Sequence, residues 1–79
     1  MNRLLYPYVT GADNKRYKCQ LRQKSFDENG DPEYLFLNES TGDCYLIKRN
    51  SEGWVFVDGN VHFEHWIEEL GNYVDGSGV

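Results

Sequence analysis

Polar and apolar residues alternate along 16–23, with Tyr17, Cys19 and Leu21 on one side and Arg16, Lys18, Gln20 and Arg22 on the other, where Lys24 continues the row. A period of two predicts a half-buried strand with a basic outer face. Tyr34–Asn38, Cys44–Arg49 and Trp54–Asp58 are rich in aromatic and β-branched residues and predict three further short strands. The gaps between them end on Gly42 and Gly53, and loops Ser40-Thr41-Gly42 and Ser51-Glu52-Gly53 with a left-handed glycine fit both. That choice fixes a register. It puts Leu35, Leu37, Tyr45, Ile47, Val55 and Val57 on one face, and Tyr34, Phe36, Leu46, Trp54 and Phe56 on the other, beside Cys44 and Lys48.

Beyond Asp58-Gly59, Asn60 can cap a helix in which Phe63, Trp66, Ile67, Leu70 and Val74 recur at helical spacing. Glu64, Glu68, Glu69 and Asn72 take the opposite side, and Gly71 is either a weak point in the helix or its C-terminal stop. Ser25–Pro32 has the Asp, Asn and Gly content of a turn. Leu4–Val9 is extended, and Pro7 restricts it to an edge strand or a covering arm. The pattern gives an α+β fold, an antiparallel β-meander of four or five strands with one C-terminal amphipathic helix packed on one face. Residues 1–74 form one small domain, and 75–79 are expected to be a disordered tail.

Seventy-nine residues hold a core only just large enough to offset chain entropy, so a deep catalytic cleft is hard to carve from them. With 39% hydrophobic and 15% aromatic residues, the composition still favours a folded chain over disorder. The first residues lack the apolar run of a signal peptide, and no stretch approaches the about 20 apolar residues that cross a bilayer. A cytoplasmic protein with no membrane contact is expected. The two cysteines, Cys19 and Cys44, are too few for a disulfide framework and are expected to be free thiols on strands.

The net charge of −5 divides along the chain. Arg3, Lys15, Arg16, Lys18, Arg22 and Lys24 face only Asp13 in residues 1–24, whereas 25–47 carry Asp27, Glu28, Asp31, Glu33, Glu39 and Asp43 and no base. Adjacent strands of opposite charge are expected to pair with each other.

No constellation fixes a chemistry. His62, His65 and Glu69 share one side of the helix, yet three ligands on one helix seldom converge on zinc and the His-Glu-x-x-His pattern is absent. Asp27–Glu33 has oxygen side chains at alternate positions, but its glycine comes too early for a calcium loop. Asn38-Glu39-Ser40 matches a glycosylation acceptor only for a secreted chain. Neither cysteine is brought to a histidine by spacing, and there is no glycine-rich phosphate loop, which points away from an enzyme and from any metal or cofactor. The stretch Tyr34-Leu-Phe36-Leu-Asn38-Glu-Ser-Thr41-Gly42 resembles the middle of a WW domain, whose aromatic residues, asparagine and threonine line a proline-binding groove. The resemblance ends there: Leu46 stands where the family has its second tryptophan, the closing proline is absent, and the family's function is not carried over.

The helix is expected to cover the aliphatic face, leaving Tyr34, Phe36, Trp54 and Phe56 exposed beside Lys48, with Arg16, Lys18 and Arg22 on the adjoining strand. That patch defines the expected function, a small non-catalytic protein-interaction domain, an accessory subunit or inhibitor, with self-association as one form of it. The alternative is a sheet-face binder of single-stranded nucleic acid, in which the aromatics stack bases and the lysines and arginines track phosphates.

Overall fold

Short turns leave a strand little choice but to lie antiparallel beside the one before it. The computed structural model describes residues 7–77. Within them β1 (Tyr8–Thr10), β2 (Arg16–Phe26), β3 (Pro32–Asn38), β4 (Cys44–Asn50) and β5 (Gly53–Gly59) form one antiparallel sheet in chain order, followed by α1 (His65–Ser77). This is the α+β meander expected from the sequence. β1 is an edge strand, and the Pro7 carbonyl just before it accepts the Cys19 N–H (2.8 Å). Leu4, Leu5 and Tyr6, the rest of the candidate covering arm, lie outside the described residues.

The register differs from the expected one by a single residue in each of the two later hairpins, and the turns explain why. Asn38 N–H donates to the Asp43 carbonyl (2.8 Å), so Glu39, Ser40, Thr41 and Gly42 all belong to the loop. The Asn38 side chain holds that longer loop, its Oδ1 accepting the N–H of Ser40 (2.9 Å) and of Thr41 (3.3 Å). Phe36 therefore faces Tyr45, and Tyr34 faces Ile47. The next turn is tighter, with Asn50 opposite Gly53, and its Oδ1 accepts the Glu52 N–H (2.8 Å). Ile47 then faces Phe56 and Arg49 faces Trp54, until a bulge shifts the ladder between Leu46 and Ile47 and leaves Val57 unpaired.

These pairings turn β3 and the first part of β5 over relative to β4, whose Tyr45 and Ile47 keep the helix-covered side expected for them. Tyr34, Phe36, Tyr45 and Ile47 join Tyr17, Cys19 and Leu21 on the side that α1 covers, whereas Leu35, Leu37, Leu46 and Val55 turn outward. Of the expected exposed aromatic face, Tyr34 and Phe36 are thus core, Trp54 is half-buried beside them, Phe56 stays exposed and Leu46 faces the other way. The core contains Val9, Cys19, Tyr34, Phe36, Tyr45, Ile47, Trp66, Leu70 and Val74, all buried. The one buried polar side chain among the described residues, Asn38, donates through Nδ2 to the Tyr45 hydroxyl (3.0 Å).

α1 begins later than an Asn60 cap would place it, with Trp66 and Ile67 N–H groups donating to the Phe63 and Glu64 carbonyls (3.1 Å each). Trp66, Leu70 and Val74 form its buried stripe. It runs through Gly71 to Ser77, so Asp75, Gly76 and Ser77 are helical and not tail. Glycine is needed at 71 for contact: a Cβ there would lie 2.5 Å from the Trp54 ring.

The helix also closes the far edge of the sheet. Glu69 accepts the Thr10 N–H (2.9 Å) and the Thr10 hydroxyl (2.8 Å), and Trp66 Nε1–H donates to the Thr10 carbonyl (2.8 Å). Glu69 is therefore a clasp between α1 and β1, where the sequence places it on a solvated helix face.

Candidate functional site

The residues named from the sequence are not brought to one surface. Tyr34 and Phe36 are buried beneath α1. Trp54 is half-buried against Tyr34 (ring centroids 5.6 Å apart) and donates from Nε1 to Asp75 (3.3 Å), while Phe56 is 43% exposed. Lys48 points to the opposite face and pairs with Asp27 (3.0 Å). Its ammonium, together with the Asn29 and Asp31 N–H groups, holds the Asp27 carboxyl below the usual carboxylate range, and Asp27 in turn raises Lys48. Arg16 lies over the Tyr8 ring (4.3 Å), Lys18 is opposite Tyr8 on the β1–β2 ladder, and Arg22 sits at a bulge and donates to Gln20 (3.0 Å). Lys24 lies over the rings of Phe26 and Tyr34 (5.6 Å each). For Arg16, Arg22 and Lys24, rings and an amide take the place of the expected acidic neighbours.

The histidines are equally engaged. His65 Nε2 lies 2.6 Å from the Thr10 carbonyl and 3.7 Å from Glu69, and His62 is stacked edge-on to Trp66 (5.6 Å) and 4.0 Å from Asp43. Among the described residues no group of three His, Cys, Asp or Glu could hold a metal ion.

Cys19 and Cys44 are free thiols, as the sequence suggests, and they stand on opposite faces of the sheet. Burial, with Glu39 and Glu69 adding to it, pushes the Cys19 thiol up to about 12, which keeps it protonated and unreactive at neutral pH. Cys44 is exposed. A maleimide is expected to label the native protein once, at Cys44, and to label Cys19 only after denaturation. Equal rates at both positions, read by intact mass and peptide mapping, would contradict this packing.

Two surfaces remain open. On the outer face, Leu35, Leu37, Leu46 and Val55 are half-buried and no helix among the described residues covers them. Beside it, β5 ends the sheet with the run Trp54-Val55-Phe56-Val57, of which Phe56 and Val57 are exposed. On the inner side a groove lies beside the contact of Trp54 with α1. One section, about 540 Å³, is lined by Trp54, Phe63, Glu64, His65, Ile67 and Glu68. A second, about 430 Å³, continues past Trp54 and Glu68 to Glu52, Gly53 and Asn72. The sequence pattern puts Phe63 in the buried helix stripe, yet it precedes α1 and is 38% exposed at the mouth of the groove. The edge position of β5 follows from the meander order, since the last strand of an open meander has no neighbour on its outer side.

No family model matches this chain, and neither a curated protein nor a solved structure is significantly similar to it.

Proposed function

We propose that the chain is a small non-catalytic protein-interaction domain, an accessory subunit or inhibitor, that engages its partner along β5. The observation that carries this reading is an edge strand of consecutive large apolar residues with an open backbone edge. An edge of that kind is normally blunted by charge, proline or extreme shortness, because it templates pairing with another chain. β5 has a bulge at Val57 and one charge, Asp58, and it continues into the outward row of Leu35, Leu46 and Val55. A partner that adds backbone bonds at the edge and covers this row would remove both from water.

Nucleic-acid binding has less support, because the Tyr34 and Phe36 rings that would stack bases are under the helix. A reducing compartment such as the cytoplasm suits the free thiols. No helix among the described residues is long and apolar enough to cross a membrane.

The test is the mass of the protein in solution across a concentration series, with any co-purifying chain identified. A species heavier than 9.2 kDa is expected, and Phe56→Lys with Val57→Lys should return it to the monomer without changing the circular dichroism spectrum. A chain that neither self-associates nor captures any partner, or an assembly indifferent to the two lysines, would overturn the reading.

A further inference from the structure

A partner that engages β5 also meets the groove beside Trp54 and α1, whose lining selects its chemistry. The floor is apolar, made by Trp54, Phe63 and Ile67. The rim is acidic, made by Glu52, Glu64 and Glu68. None of these three carboxylates has an ion-pair partner among the described residues. The nearby base, Arg49, is held by Asp75 and lies over the Trp54 ring (5.6 Å). His65 is turned to the Thr10 carbonyl. The acids lining the two sections thus have no paired cation among the described residues, and β5, whose Gly53 and Trp54 line the groove, is an edge strand.

The charge decides between occupants. A second copy would bring a further net charge of −5 to a groove whose own lining is acidic. An extended basic segment meets no such repulsion. Building on the interaction function proposed above, we infer that the groove binds an extended, lysine- or arginine-bearing segment of another protein, which pairs with β5 as an added strand. Side chains of an extended segment alternate between faces, so every second one enters the groove. A lysine or arginine there lays its aliphatic stem on Trp54, Phe63 and Ile67 and carries its charge to the glutamate rim. The intervening apolar side chains fall beside Val55 on the outer face.

The probe is a labelled peptide alternating lysine with valine and threonine, titrated against the full chain by fluorescence anisotropy. Comparison peptides carry glutamate for lysine, or N-methyl groups on alternate backbone nitrogens. The lysine peptide is expected to bind, to weaken as salt rises, and to lose about tenfold in affinity to the variant Glu52→Gln, Glu64→Gln, Glu68→Gln, whose exposed changes leave the fold intact. Both comparison peptides should fail to bind. Equal binding of the glutamate peptide, or unchanged affinity in the triple variant, would overturn the basic partner. Undiminished binding of the N-methylated peptide would overturn the added strand. If the lysine peptide does not bind while a heavier species sensitive to Phe56→Lys and Val57→Lys persists, this inference fails and the interaction function stands.

Discussion

Trp66→Ala is expected to cost about 3–5 kcal/mol, the range for truncating a large buried ring. Trp66 is the largest fully enclosed side chain among the described residues, 2% exposed. Its indole meets the rings of Tyr17 (6.2 Å), Tyr45 (5.7 Å), His62 (5.6 Å) and Phe63 (5.5 Å), so alanine opens a cavity that touches β2, β4 and the loop before α1. It also removes a donor to the Thr10 carbonyl and loosens β1. Small domains have stabilities of about 5–15 kcal/mol, so this one change removes much of the margin. Trp66→Phe should be much milder, about 1 kcal/mol, because most of the ring volume stays and His65 still reaches the same carbonyl. Urea midpoints order the three proteins. A Trp66→Ala midpoint equal to that of the parent would show that the core is not built around this ring.

Leu70→Ala should cost about 2–4 kcal/mol. Leu70 is completely buried at the middle of the α1 stripe, between Trp66 and Val74, and its neighbours cannot collapse into the space without moving the helix. Glu68, two residues earlier, is exposed, and Glu68→Ala should leave the midpoint within about 0.5 kcal/mol. Equal losses for the two variants would mean that α1 packs through another face.

These expectations for α1 could be written from sequence, because a helix stripe is a local pattern: Trp66, Leu70 and Val74 announce it with no knowledge of the sheet. The strand positions, the turn after Phe26 and the edge position of β1 were legible for the same reason. The assignment of sheet faces was not. It depends on one residue of loop length, and that residue is decided by the Asn38 side chain, which holds a loop of Glu39 to Gly42 where a shorter one also fits the glycine. Pleat alone says that Trp54 and Phe56 oppose Val55, but only the turns say whether Leu46 or Ile47 shares their side. The candidate site shifted with it, from an aromatic face to an edge strand and a groove. The clasp of Thr10 by Glu69 was illegible for a different reason, since it joins residues from the two ends of the domain.

The contact between Gly71 and Trp54 constrains how this sequence can change. In a helix interior alanine is worth about 1 kcal/mol over glycine, so the bare backbone at 71 is a standing disadvantage. With the indole in place, Gly71→Ala forfeits that gain, because its methyl group enters the ring. With a small residue at 54 the ring atoms nearest that methyl group are gone. The two positions therefore show sign epistasis, one substitution being harmful or favourable according to what the other holds. Either order costs stability at its first step, the ring-first route by losing the Trp54 contacts with Tyr34 and Asp75 and the helix-first route by the clash, but only the ring-first route makes the alanine favourable when it arrives.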